Sequence, residues 1–322
     1  MASMEEALAR ISARAPTYRR PRSGESSGEG AGDETSMPKV SDATTERLLG
    51  KVSSGSQGDQ SSRRADIAVL AALADPELNK VLSAFGPAWQ KESRDGVVYN
   101  VARTPISGRD LTVVAAVQND MGMVPAAILA TKTVRAWQPR IVAMVGVCAG
   151  VQGRVHLGDI VVARQVFDYG SGKLVDGRLF PDYQPVSIDE HLYQCAIDLT
   201  ANAAALSSIR GSWPTDTGRP PTELRAHVGA MASGAAVVAD DSIVEGIQEH
   251  KRSILALDME AYGMARATLS SISPPLPLVI KAVQDFADES KADDYREYAA
   301  FVSVQFLQRF LEDYWDQIRE HG

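Results

Sequence analysis

From residue 66 onward, short apolar and β-branched runs alternate with stretches whose apolar residues recur every third or fourth position. The first pattern reads as buried strands and the second as amphipathic helices. Strands are expected over 66–73, 97–102, 111–117, 140–146, 159–166 and 277–283, with a short one at 254–257. Residues 227–238 are expected to hold one more strand and its turn. A helix is expected to open at Asp75-Pro76-Glu77, with Asp75 at the cap and the proline in the first turn. Others are expected over 124–137, opened by Pro125, and over 187–205 and 258–268. Tyr295, Tyr298, Val302, Phe306, Phe310 and Tyr314 mark a long amphipathic C-terminal helix. Residues 210–224, polar and proline-rich, read as a loop, and no internal repeat stands out. The alternation predicts an α/β fold, a three-layer α/β/α sandwich around a mixed central sheet.

Residues 16–64 break this texture. They are rich in Ser, Gly, Glu and Arg and poor in aliphatics, too few to offset the entropy of ordering. Residues 1–64 are therefore expected to be a flexible arm, and 65–322 one folded domain. Within the arm, Met4, Leu8 and Ile11 share one helical face. They read either as a frayed tail or as a short docking helix for a protein partner or a second copy.

Composition narrows the functions. Of 322 residues, 44% are hydrophobic and 23% charged, as in ordinary globular proteins. The net charge of −8 argues against nucleic-acid binding, which needs clustered Lys and Arg. No apolar run is long enough to cross a membrane, and no signal-peptide core opens the chain. Cys148 and Cys195 offer neither a disulfide framework nor metal spacing. The five histidines are scattered, so no metal site is expected. Gly170-Ser-Gly-Lys173 lacks the leading glycine and spacing of a phosphate-binding loop. A reducing cytoplasm is the expected compartment.

The chemistry is concentrated near the end of the chain. Asp285 follows the apolar strand expected at 277–283, where ligands bind in open α/β sheets. Glu260 sits among Leu257, Ala261 and Met264 at the start of a helix, an unusual setting for a surface acid. The chain thus offers two carboxylates to one crevice. One is suited to donate a proton and the other to hold a sugar diol, as cleavage of a nucleoside's glycosidic bond requires.

Four separated segments, covering roughly residues 66–316, resemble the nucleoside phosphorylase and nucleosidase superfamily. Its members include methylthioadenosine/S-adenosylhomocysteine nucleosidase, AMP nucleosidase and purine nucleoside phosphorylase. The resemblance implies that Asp285, at the place of a Ser-Asp or Cys-Asp motif, is the general acid at the leaving base. Glu77 would orient the attacking water, although Ala72-Leu-Ala-Asp-Pro-Glu77 carries one residue more than the family pattern. Asp75 is the alternative. Met259 and Glu260 match a Met-Glu pair that packs on the sugar and accepts its 2′ and 3′ hydroxyls. The turn from Gly146 to Gly150, with Val147, Cys148 and Ala149, would wrap the sugar or the nucleophile site. Lys281 matches an arginine position and would steady the water or a substrate oxygen.

Two departures bear on the reaction and the substrate. Phosphorylases carry an Arg two residues before the first glycine and a Ser after it. Here Met144 and Val147 stand there, and neither supplies the charge-assisted bonds that hold an oxyanion. Hydrolysis is therefore expected over phosphorolysis. In the base-pocket segment, Val237 or Val238 would supply only an aliphatic wall where some relatives have a stacking Phe; adenine is the base expected from the nucleosidase-like features. Lys173, with Arg164, would hold 5′ phosphates or be a solvated loop residue. The Asp285–Lys291 segment most resembles phosphorylase-superfamily domains attached to bacterial and fungal immune receptors, some of which cleave adenosine nucleotides. The expectation is a purine N-ribosyl hydrolase acting on a small-molecule nucleoside or nucleotide. It would need no cofactor and assemble as a homodimer or higher oligomer. The rivals are a phosphate-dependent phosphorylase and a nucleoside sensor without turnover, the latter suggested by the extra residue before Glu77.

Overall fold

The computed structural model describes residues 64–321, apart from 177, 216, 237–240 and 287–292. The proposed arm, with its docking face at Met4, Leu8 and Ile11, lies outside the described residues, as do Val237 and Val238. In chain order the strands are β1 (Ile67–Ala71), β2 (Gln90–Arg94), β3 (Val97–Ile106), β4 (Arg109–Val117), β5 (Ile141–Gly150) and β6 (Ile160–Asp168). They continue with β7 (Gly172–Val175), β8 (Arg178–Pro181), β9 (Val186–Ser187), β10 (Ala226–Ser233), β11 (Ile254–Asp258) and β12 (Leu276–Phe286). The helices are α1 (Asn79–Ala84), α2 (Met123–Trp137), α3 (Glu190–Ala201), α4 (Ala203–Gly211), α5 (Asp241–His250), α6 (Ala261–Leu269) and α7 (Arg296–His321).

β1 is buried along its whole length, because parallel neighbours β4 and β5 flank it and helices cover both faces. Ile67, Val69, Ile141, Ala143 and Val145 point to a core shared with Val81 of α1, Leu192 of α3, Leu206 of α4 and Phe306 of α7. Their neighbours Ala68, Leu70, Val142 and Met144 point the other way, onto Ala126 and Leu129 of α2 and Met264 of α6. The period of two in each strand thus feeds two cores and makes three layers. The mixed α/β sandwich read from the sequence is the fold found.

The sheet runs β11-β10-β6-β12-β5-β1-β4-β3-β2 and has ten strands, with β9 paired to β6. β12 lies parallel to β5 and antiparallel to β6. One further pairing shapes the site. β11 also meets the end of β5 antiparallel, Ala256 against Gly150 and Leu257 against Ala149. The strands β5, β12, β6, β10 and β11 therefore curl into a ring, and the residues after β11 are carried back beside those that end β5.

Several local expectations are corrected. Gly146–Gly150 is not a turn. β5 runs straight through it, paired with Lys281 to Phe286 of β12, because strand partners on that side satisfy its main chain. Asp75 caps no helix; it has extended backbone within an irregular turn at Ala74–Leu78, and α1 starts only at Asn79. Asp75 instead accepts from the Asn79 side chain. The helix expected over 187–205 divides at Asn202, whose side chain caps α4 by accepting from Ala205 N. The helix expected from Asp258 starts at Ala261, since Asp258 still belongs to β11. β2, the β7–β8 hairpin, β9 and α5 were not expected. β2 and the hairpin have largely exposed residues, and exposed strands lack the apolar run that marks a buried one.

Candidate active site

Glu77 is anchored by three main-chain N–H groups. The irregular turn after β1 folds its side chain inward, where it is 1% exposed. Oε2 accepts from the main-chain N–H groups of Ala72 (2.8 Å) and Leu73 (2.9 Å), and Oε1 accepts from Val147 N (2.9 Å). Three N–H donors thus satisfy the buried carboxylate oxygens. Gly146 is what allows the approach. Its φ of +142° suits glycine, and a Cβ there would overlap the Glu77 carboxylate.

The second acidic group forms where β11 enters α6. Glu260 is buried, and its Oε1 accepts from Gly122 N (3.0 Å) and Gln118 Nε2 (3.5 Å), from the loop that leads into α2. Asp258, two residues earlier, accepts from the Ser233 hydroxyl (2.6 Å) and from Ala261 N (2.9 Å). The same Ser233 oxygen accepts from Tyr262 N (2.9 Å). Beneath both acids lies Lys281 of β12, wholly buried, with Nζ 3.8 Å from Asp258 Oδ2 and 3.7 Å from Glu260 Oε2. Burial works to lower the lysine's pKa, but Glu77, Glu260 and Asp258 outweigh it and push it up. Burial lifts Asp258 to about 6, against the pull of Lys281 and with the help of Glu260. The lysine is a counter-charge set back from hydrogen-bonding distance, so the main chain and Ser233 fix the carboxylates' geometry.

Asp285 ends the third approach. It is 7% exposed and pairs in register with Ala149 of β5. Gln284 donates from Nε2 to Asp285 Oδ2 (2.9 Å), and Arg296 of α7 donates from Nε to Gln284 Oε1 (3.2 Å). Cys148 lies nearby, and burial pushes its thiol pKa well up, which makes it a poor nucleophile.

These groups share one cleft of about 240 Å³. Glu77, Asp258, Met259, Glu260 and Asp285 line it, with Val147, Cys148 and Ala149 as an apolar wall. Arg296 is the one cation among its described lining residues. The site thus offers a clamped carboxylate, an acid on a strand end, and a Met-Glu pair beside an apolar surface. Among the described residues no group of three or more His, Cys, Asp or Glu is disposed to hold a metal ion. No described helix is long and apolar enough to cross a membrane.

Most of the residues singled out from the sequence meet here: Asp285, Glu77, Met259, Glu260, Val147, Cys148 and Ala149. Three others do not line the cleft. Lys281 is sealed below it, paired with carboxylates, so the expected direct contact with water or substrate is replaced by support from beneath. Gly150 packs into the core, where a Cβ would stand 2.7 Å from side-chain atoms of Val155 and Val283. Lys173 sits on the exposed β7–β8 hairpin. Its companion Arg164 stacks 3.8 Å over the Tyr193 ring. Sequence reasoning missed Asp258, Gln284 and Arg296. Asp258 carried the same signal as Asp285, an acid closing an apolar strand. Nothing in the sequence marked the other two.

Comparison with known proteins identifies the family and the fold. The family model of the phosphorylase superfamily matches residues 66–312, and the chain belongs to that superfamily. An uncharacterised protein of Sinorhizobium fredii is 31% identical over 77% of this chain and 63% of its own length. A death domain-containing ATP nucleosidase of Amphimedon queenslandica is 24% identical over 76% of this chain and 48% of its own. The chain thus spans about half to two thirds of these relatives. Among solved structures, a futalosine hydrolase mutant of Helicobacter pylori superposes with a TM-score of 0.62 at 18% identity. It covers 77% of this chain and 98% of that one, which shows a shared fold.

Proposed function

We propose that residues 65–322 form a catalytic domain that hydrolyses the N-glycosidic bond of a purine nucleoside or nucleotide, with adenine as the preferred base. The observation that carries this reading is Glu77, held by three main-chain N–H groups in the cleft that Asp285 and Glu260 also line. In the reaction the C1′–N9 bond breaks with its electron pair leaving on the base, and Asp285 gives its proton to a purine ring nitrogen. A water oriented by Glu77 adds its oxygen to C1′ and loses a proton to that carboxylate. Glu260 accepts the ribose hydroxyls while Met259 packs on the sugar. Lys281 keeps the acids beneath the ribose from repelling one another.

Hydrolysis is favoured over phosphorolysis by the surroundings of β5. Met144 is buried in the core facing α2 and α6, and the Val147 N–H is already given to Glu77. Neither position offers a donor to phosphate. A nucleotide substrate draws support from the relatives named ATP nucleosidase, in Amphimedon queenslandica and Escherichia coli. On this reading the domain depletes nucleotide as an effector in cellular defence, with the arm handling a partner. Assembly into a homo-oligomer is supported by Val124 (70% exposed) and Ile128 (53% exposed), one turn apart on α2, and by Met121, which is exposed and also lines the cleft.

Chromatography for free adenine, after incubation with adenosine, methylthioadenosine, AMP and ATP, with and without phosphate, tests the reading. Release without phosphate is expected. Strict dependence on phosphate indicates a phosphorylase, and binding without release from any substrate indicates a sensor.

A further inference from the structure

We infer that Ser233 is a positioning residue that caps α6 in place of Glu260 and so leaves the Glu260 carboxylate to a ribose diol. The inference rests on the reading of Glu260 as the sugar-binding acid.

A helix opens with main-chain N–H groups that have no partner within the helix, and the side chain at the N-cap is their usual acceptor. In α6 the N-cap residue is Glu260, yet its side chain makes no such bond. The donors go elsewhere. Ala261 N is taken by Asp258 Oδ2 (2.9 Å), and Tyr262 N by Ser233 Oγ (2.9 Å), which comes from the end of β10. The Ser233 hydroxyl in turn donates to Asp258 Oδ1 (2.6 Å). One wholly buried hydroxyl therefore ties the residue two before Glu260 to the residue two after it. The Met259–Glu260 pair is held in the turn between them. A hydroxyl suits this place because it can donate and accept at once.

Strand pairing fixes where that hydroxyl stands. Ser233 lies in register with Asp258 of β11 on one side and with Asp168 of β6 on the other. Gly234 N donates to Asp258 O (3.1 Å), and Tyr169 N donates to Ser233 O (3.0 Å). Released from its own helix, Glu260 turns to another. Its Oε1 accepts from Gly122 N, at the N-cap of α2 (3.0 Å). α2 comes this close because residue 263 is glycine; a Cβ there would overlap Met123 O. Glu260 thus lines the cleft without capping the helix it begins. Without the Ser233 hydroxyl, the Tyr262 N–H would need a new acceptor, and the N-cap carboxylate is the usual one.

The test compares adenine release by the full chain from adenosine and from 2′,3′-dideoxyadenosine, each carrying the 5′ substituent that wild type prefers. The quantity read is the ratio of their kcat/KM values. A diol acceptor raises that ratio, whereas a general loss of structure lowers both values together and leaves the ratio in place. Ser233→Ala is expected to lower the ratio about tenfold, with kcat/KM for the dideoxy substrate within about threefold of wild type. Ser233→Thr keeps the hydroxyl and is expected to hold the ratio within about twofold. A wild-type ratio in Ser233→Ala, however far overall activity falls, overturns the inference. So does a ratio in Ser233→Thr as low as in Ser233→Ala. If Ser233→Ala does not fold, Ser233→Cys, whose thiol donates and accepts weakly, is expected to lower the ratio about threefold; an unmoved ratio there overturns the inference instead. Glu260→Gln separates the two layers. A wild-type ratio in Glu260→Gln sinks the sugar-binding role of Glu260 itself, whereas a lowered ratio there beside an unmoved Ser233→Ala sinks only the positioning role of Ser233.

Discussion

Two buried acidic clusters in this molecule are built on opposite plans. At the start of β6, Asp159 is fully buried and its Oδ2 accepts from His227 Nε2 (2.8 Å) and His156 N (2.9 Å), with His156 Nδ1 at 3.4 Å. Its partners press directly on the carboxylate. In the cleft the order is reversed. Main-chain N–H groups hold Glu77 and Glu260, while the cation Lys281 stays 3.7 Å or more from Glu260 and Asp258. All the Asp159 contacts fall on Oδ2, and that charge is closed off from solvent. A set-back cation compensates the charge and leaves the acids facing a cavity, which is what a reacting site needs.

Replacing the acids sharpens the contrast most. Asp285→Asn is expected to lower kcat for base release by about 10²- to 10⁴-fold while substrate binding persists, as read by steady-state kinetics and calorimetry. Asp159→Asn is expected to leave kcat within about twofold. Equal losses in the two would erase the distinction drawn here.

The cation comes next. Lys281→Met strands Asp258 and Glu260 in the interior and is expected to cost about 3–5 kcal/mol of stability in urea denaturation. A loss below about 1 kcal/mol would mean that solvent already screens these acids. Gly146→Ala drives a methyl into the Glu77 carboxylate. It is expected to cost about 1–3 kcal/mol and at least about tenfold in kcat; wild-type kinetics in this variant would show that Glu77 is not held as described.

The acidity of Asp258 gives a smaller, signed effect. Its folded-state pKa, about 6, lies above that of an unfolded aspartate, about 4. The folded chain therefore holds this proton more tightly. The stability that follows is fully present below about pH 4 and lost as pH rises through about 6. Asp258→Asn is expected to flatten the melting temperature against pH across that window, and an unaltered slope would refute the assignment. Last, Lys173→Ala on the exposed hairpin is expected to change KM by less than about twofold; a larger rise would bring the hairpin into the site.

Legibility followed burial. β1, β5 and β12 were readable because a strand covered on both faces must be apolar throughout. α7 was readable because its aromatic stripe repeats at the helical period. β2 and the β7–β8 hairpin left no such trace. Asp285 stood out for the same reason in reverse, as a charge where apolar neighbours make charge expensive, whereas Asp258 at the end of β11 carried the same signal and was missed. Gln284 and Arg296 did not stand out, since one owes its direction to a bulge and the other reaches it from a distant helix.

The sequence by itself determined the layering and singled out Glu260 and Asp285, because periodicity and a charge beside an apolar run are local properties; Glu77, with Asp75 as its alternative, came only with the family resemblance. Only the tertiary structure decided that these acids share a cavity, that Gly146–Gly150 is strand, and that Lys281 supports the site from below. The reason is geometric. The pairing of β11 with the end of β5 and the register slip in β12 join segments more than a hundred residues apart, and no local pattern encodes where such partners meet.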